Sequence, residues 1–534
     1  MAEMTWLDRE KTMKYLFGAI LLLLIFASVG QYMATPEASS ELPILYWVTD
    51  PNPARDQQIS KFHQWLKVHA PAKDQYILRL DAANQGPQKL VIQGVSGVAG
   101  DLIDVTGFDM DYLVAIGMLD DVTDSARVMG FDPSQTFSAV EPVISSDERQ
   151  YLFPGNVWGH MVLVNKDAFA KYNIPLPPKR WNFDQFEALG KAFVQAANVP
   201  GEVQKNYFIN SLGRPSLRGS LGLSWFNETM TRCTLDDTRN AALLARLYKW
   251  THVDHILPTP AEIASFSASV GYGGTQAAYF YDGKYACLMD GRNMLIQMRL
   301  YSEPVNMTAV EPPNDGYPNT AVCARAVGIY KGSKHRDLAR YFLEFLASEE
   351  YNRNIVADAD ALPPNPKYTQ LPEYIAPPDY PNEGDLHQAF DVAFREIGVS
   401  YAISPFVLYS VSAKIELDTF NGMMSSRYGQ TPEEAGSRAA QISSDAINRE
   451  IERSLAENKQ LRPEYDKRLA IQQQVDKMVA LWNQIDAAKA QGAAADDLLA
   501  QARSIGGNQS GTIPSKWIYN PFYRKYYKDK GWAE

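Results

Sequence analysis

Two short polar clusters stand at the ends of apolar runs, where an α/β chain keeps its chemistry. Thr49-Asp50-Pro51-Asn52-Pro53 closes the run 42–48, and Thr106-Gly107-Phe108-Asp109 closes 102–105. Carboxylates, a hydroxyl and an aromatic face at such turns can hold a polar ligand by hydrogen bonds and ring stacking. A plainer role for Asp50 is to cap the helix that follows. A third cluster, Gly155-Asn156-Val157-Trp158-Gly159-His160, gives Trp158 small and polar neighbours that leave the indole room to face a cleft. These residue types bind; they do not by themselves break bonds.

The signatures of covalent and phosphoryl chemistry are missing. No GxSxG, Walker A, HExxH or GxGxxG stands in a suitable context, and the seven histidines include no metal pair. Carboxylates are so plentiful that a glycosidase pair could be drawn from any two, which removes its diagnostic value. Cys233, Cys287 and Cys323 offer neither CxxC nor zinc spacing, and are read as buried thiols or as one disulfide with a spare thiol. No cofactor or metal is expected. With 51 basic against 62 acidic residues and no long basic block, nucleic acid is excluded as the main partner.

The elements that must position these groups follow an alternation. Residues 42–48, 76–80 and 102–105 read as strands, with Ile59, Phe62, Trp65 and Leu66 at helical spacing between the first two. Strand alternating with helix predicts an α/β domain around a parallel sheet, with ligands at the C-terminal strand ends. Further strands are predicted at 161–164 and 286–289, and helices at Leu338, Phe342, Phe345 and Leu346, after Asn182 with Gln185 reaching back, and after Thr431-Pro432. The Pro-rich stretch 358–383 reads as irregular. From Pro463 the pattern becomes a helical hairpin with a Gly-Ala break at 491–495, followed by an aromatic, basic tail.

Residues 16–29 (LFGAILLLLIFASV) form an apolar run preceded by Arg9, Lys11 and Lys14, and no basic residue follows until Arg55. That bias puts the N-terminus in the cytoplasm and the rest outside. The run fits a signal-peptide core or a signal anchor; no lipobox cysteine is present, and the anchored form is expected.

The collinear order of motifs resembles the sugar-type extracellular (periplasmic) solute-binding proteins of ABC importers, the family that includes maltose-binding protein. DLIDVTGFDMDYLVAIGML (101–119), FPGNVWGHMVLVNKD (153–167), LSWFNETMTRCTLDD (223–237), FYDGKYACLMDGRN (280–293) and residues 328–350 carry the likeness, which spans about 42–455. Each motif alone is weak, and their order and spacing make the case. Cys323-Ala324-Arg325-Ala326 replaces a Gly-rich strand, and the chain after 456 is extra.

The resemblance implies a two-lobed, type II-like α/β fold, to which the residues themselves add an N-terminal membrane helix and a C-terminal helical extension. Its parts would be a stub and anchor (1–34), lobe one (42–157 plus 327–395), lobe two (160–322 plus 400–455) and an accessory extension (456–534). It further implies a non-enzymatic carrier that closes on a saccharide at the periplasmic face and presents it to an importer permease. By resemblance, Asp50, Thr106, Phe108, Asp109, Asn156, Trp158, Trp225, Asp290, Arg292, Arg325, Phe406 and Tyr409 fall where the ligand contacts lie. Core packing is the rival role for Trp225, Phe406 and Tyr409, and surface pairing for Arg292 and Arg325. An exported carbohydrate-active enzyme and a sensor ectodomain are the competing functions; the latter would need an output domain that the short segment before the apolar run does not supply.

Overall fold

The computed structural model describes residues 42–50, 54–71, 76–84, 86–266, 274–401, 403–429 and 431–534, and before them Tyr15, Phe17, Leu22, Leu23 and Phe26. Apart from those last four, the apolar run 16–29 lies outside the described residues. Among the described residues, no helix is long and apolar enough to cross a membrane.

Twelve strands are present in the described residues: β1 (Ile44–Val48), β2 (Ile77–Asp81), β3 (Leu102–Thr106), β4 (Ser145–Ser146), β5 (Arg149–Gln150), β6 (Leu152–Gly159), β7 (Met161–Asn165), β8 (Tyr207–Ile209), β9 (Tyr285–Asp290), β10 (Met307–Val310), β11 (Thr320–Ile329) and β12 (Gly398–Val399). The first sheet runs β12-β11-β3-β1-β2, and β6 covers the other edge of β11. β1 pairs in parallel with β2 and β3, while β11 is antiparallel to β3 and β6. The second sheet runs β10-β7-β9-β8. These sheets are the centres of two lobes.

Helices cover both faces of the first sheet, so its strands are apolar on both sides rather than alternating. On one face Leu45, Trp47, Leu102 and Val327 pack against Phe62, Phe342 and Phe345 from the helices Ala54–His69 and Arg336–Ala347. On the other, one cluster runs from Ile103 and Val105 through Phe390 and Phe394 to Leu163 and Leu288 of the second sheet. In the second lobe, Asn182 and Gln185 form the expected reciprocal cap of the helix Phe183–Ala197, and Trp181 packs on Phe186 at 5.5 Å. The helix Pro432–Glu457 crosses the helix Thr238–His252 at Gly436, where a Cβ would lie 2.5 Å from the Ala241 carbonyl oxygen.

The chain passes between the lobes at β6–β7, at β11 and at β12. Gly159 sits where these passes touch: a Cβ there would meet the Ala321 carbonyl at 2.5 Å and the Phe394 ring at 2.7 Å. Beyond it, the Thr320 hydroxyl donates to the His160 carbonyl at 2.6 Å. The stretch 358–383 contains short helical turns, Pro366–Gln370, Pro372–Ile375 and Pro381–Glu383, each opened by a proline.

The predicted hairpin appears as the helices Arg462–Ala490 and Asp496–Gly506, and the tail as the helix Pro521–Asp529. It packs on the two-lobed core. Its apolar cluster includes Val399 and Tyr401 beside β12, with Tyr401 stacked on Phe522 at 5.3 Å. It is also tied to the second lobe. The Tyr519 and Asn520 backbone N–H groups donate to the Glu228 carbonyl, Tyr527 donates to the Glu228 carboxylate at 2.6 Å, and Thr229 donates to Gln472.

Candidate ligand-binding site

Residues paired across adjacent strands share a face of the sheet. Arg325 of β11 is opposite Thr106 of β3 and Asn156 of β6, and Cys323 is opposite Trp158. Thr106, Arg325 and Asn156 therefore form a polar row across three neighbouring strands. Asp104, two residues before Thr106, extends it and accepts from Arg325 Nη1 at 3.0 Å, from Trp47 Nε1 at 2.9 Å and from the Thr49 hydroxyl. Arg325 Nη2 donates to the Tyr351 hydroxyl at 3.0 Å. Gly155 makes room for this guanidinium, since a Cβ there would lie 2.6 Å from it.

Beside the row is a cavity of about 240 Å³, lined by Asp50, Asp104, Thr106, Asp109 and Arg325 over the apolar Leu90 and Leu113. Asp50 is held by Arg55, which donates to it at 2.7 Å. Burial would raise the Asp50 pKa, but the Arg55 guanidinium holds it below the usual carboxylate range. Asp109 is 4% exposed and accepts the Tyr409 N–H at 3.0 Å and the Thr106 hydroxyl. Among the described residues no ion pair reaches it. Burial pushes its carboxyl up to about 6, against the Tyr409 N–H and the Thr106 hydroxyl.

Aromatic rings continue this surface into the second lobe. Trp158 is the half-buried residue in an otherwise buried β6. It meets Phe108 edge-on at 6.0 Å, Phe108 meets Tyr409 at 4.7 Å, and Tyr409 meets Trp225 at 6.1 Å. His160 lies 5.8 Å from Trp158. Asp290 ends β9 opposite Met161. Burial raises Asp290 and lowers His160, so both lean towards their neutral forms.

Among the described residues, the buried atoms without a protein partner include Asn156 Oδ1, Trp225 Nε1 and Arg325 Nε around this surface. Leaving such a group unpaired costs about 1–3 kcal/mol, so an acceptor and two donors are available to something that can both donate and accept. A larger groove of about 1040 Å³ lies between the extension and the second lobe, but its lining includes none of these unpaired atoms.

Two expected contacts are placed elsewhere. Arg292 is 1% exposed and donates to His387 Nδ1 at 3.0 Å and to the Val356 and Ala361 carbonyls at 3.0 and 2.7 Å, under the Tyr374 ring. It begins a 3₁₀ turn, Arg292–Met294, that carries its side chain into the core. Phe406, also 1% exposed, packs against Tyr465 at 5.1 Å, so it supports the extension rather than a cleft. The reading of the motifs in turn missed Asp104 and His160. Both left a signal: Asp104 interrupts an apolar strand two residues from Thr106, and His160 follows Trp158 by two, so each is on its neighbour's face.

The family model of the bacterial extracellular solute-binding proteins matches residues 78–353. This chain belongs to that family. Solved structures show the same two-lobed fold. A substrate-binding protein from Listeria monocytogenes in complex with cycloalternan is 20% identical over 76% of this solute-binding protein and 98% of its own chain, with a TM-score of 0.62. A solute-binding protein from Thermotoga lettingae bound to α-D-tagatose is 12% identical over 77% and 100%, with a TM-score of 0.60. The sugar-binding protein MalE from Xanthomonas citri is 14% identical over 76% and 98%, with a TM-score of 0.60. No curated protein matches the chain in sequence. The neighbours are covered almost end to end, whereas about a quarter of this solute-binding protein lies outside each match.

Proposed function

We propose that this solute-binding protein captures a saccharide between its lobes and delivers it to an ABC importer permease, without making or breaking a bond. The observation that carries this reading is the set of unpaired buried donors and acceptor beside a path of aromatic rings. Sugar hydroxyls both donate and accept, and the C–H faces of a sugar ring stack on indole and phenol. The ligands held by the Listeria and Thermotoga neighbours, cycloalternan and α-D-tagatose, agree with that chemistry. The contacts assigned are Asp50, Thr106, Phe108, Asp109, Asn156, Trp158, Trp225, Asp290, Arg325 and Tyr409. Lobe one is taken as 42–157 plus 327–395, and lobe two as 160–322 plus 400–455. Ligand bridging both lobes shifts the population towards the closed form. The run 16–29 keeps the protein on the outer face of the inner membrane, a reading supported by its charge bias.

A thermal-shift screen against a panel of mono- and oligosaccharides tests the ligand class. A saccharide at 100 times its Kd adds about 2.7 kcal/mol of stability. With the best saccharide, Trp158→Ala should cost about 2 kcal/mol or more of affinity while lowering the unliganded Tm much less, because a half-buried ring gives up little packing. A panel without a single shift would sink the saccharide reading. A mutant that is severely destabilised but binds normally would move Trp158 to the core, and hydrolysis of a bound oligosaccharide would favour an enzyme.

A further inference from the structure

We propose that the C-terminal extension is an internal docking partner of lobe one, and that the charge pairing between them holds the two lobes together in the absence of ligand. The contact is a groove of about 580 Å³ with opposite charges on its two walls. The lobe-one wall carries Asp111, Glu141, Asp147 and Glu148; the extension wall carries Arg468, Lys516 and Arg524.

Both walls are built. Asp147 and Glu148 are the two central residues of the tight turn joining β4 to β5, with φ of 48° and 62°. Such a turn needs left-handed backbone at both positions and normally takes Asn-Gly. Here two exposed acidic residues occupy it. On the other wall, Arg468 is buried, its guanidinium stacked 3.9 Å from the Tyr519 ring and bonded to Glu464 at 2.9 Å. Arg524 is fixed by donating to the Ile518 carbonyl at 3.0 Å. Burial raises the Asp111 carboxyl, while Arg468 and Arg524 pull it down.

The mechanical consequence follows from where the extension is attached. It is bonded to Glu228 and Thr229 of the second lobe and packed on Tyr401 at the crossing strand. Swinging lobe one away about the crossing strands must separate the acidic hairpin from the basic wall. The pairing therefore opposes opening and shifts the resting population towards the closed form, by as much as the charges favour the closed arrangement over the open one.

The test uses the full chain without ligand, labelled for energy transfer at cysteines introduced at the exposed Val95 of lobe one and Val203 of lobe two. The three native cysteines are buried. Between about 0.01 M and about 1 M salt the screening length falls from about 30 Å to about 3 Å. The expected result is lower transfer at high salt, and in the Lys516→Glu/Arg524→Glu variant transfer that is low at low salt and does not fall as salt is added, because like charges then face each other and salt screens their repulsion. Adding Asp147→Lys and Glu148→Lys to that variant should restore the original behaviour. Salt-independent transfer in the unsubstituted chain overturns the proposal, as does a reversed-charge variant that behaves like it or a charge swap that fails to rescue. Circular dichroism on each variant separates loss of pairing from loss of fold, and the salt titration of the unsubstituted chain decides the matter if a variant does not fold.

Discussion

Asp109 shows how one buried carboxyl connects the lobes and carries a cost. It closes β3, stands in the cavity wall and accepts an N–H from Tyr409, a residue of the opposite lobe. With no cation paired to it among the described residues, burial raises its pKa to about 6 from an ordinary value of 3.8. The folded state therefore binds the proton more tightly than the unfolded state. By linkage, stability is fullest below about pH 4, falls as the pH rises to about 6, and is flat beyond. A shift of about two units corresponds to roughly 2–3 kcal/mol at most. Asp109→Asn, which cannot ionise, should match the parent Tm near pH 4 and exceed it near pH 8. Equal Tm differences at both pH values would show that Asp109 is ionised at no cost in the folded protein.

Among the elements, the extension makes the most far-reaching contacts with the rest of the chain. The helices Arg462–Ala490 and Pro521–Asp529 bury Val475, Met478, Ile485 and Phe522 together with Val399 and Tyr401. Removing residues after Ala456 would expose that apolar surface and leave the Glu228 carboxylate without Tyr527 and Gln472. Burying one large apolar side chain is worth about 1.5–3 kcal/mol, so losing several such contacts exceeds what a marginally stable domain tolerates. The truncated protein should unfold at a much lower temperature than the parent or fail to accumulate in soluble form. A truncated chain with unchanged Tm would make the extension the detachable accessory that its sequence suggests.

At the scale of the whole molecule, two lobes share a continuous core through Phe390 and Phe394, and the chain passes between them at glycine and small side chains. Closure and opening must then pivot on β6, β11 and β12 while the lobes move as bodies. The proposed anchor bears on where the molecule works. A short apolar run with basic residues on one side should hold the protein in membrane fractions washed with high salt, since burial in lipid does not depend on ionic strength. A mature chain beginning near Gln31 in the soluble fraction would show that the run is cleaved.

Much of the fold was legible locally. The strand-turn-helix alternation, the Asn182 cap, the hairpin break at 491–495 and the ends of β1 and β3 are set by residues within a turn or two, through periodicity and capping. The small and polar neighbours of Trp158 likewise left its indole room to face outward, and it is the half-buried residue of β6. Fates set by distant partners were not legible. Arg292 follows Asp290 by two residues, yet carbonyls near residues 356 and 361 and the ring of His387 draw it into the core. Phe406 was assigned to a cleft because the extension that buries it lies some sixty residues further on. Periodicity says which side of an element a residue occupies; only packing across the chain decides what waits on that side.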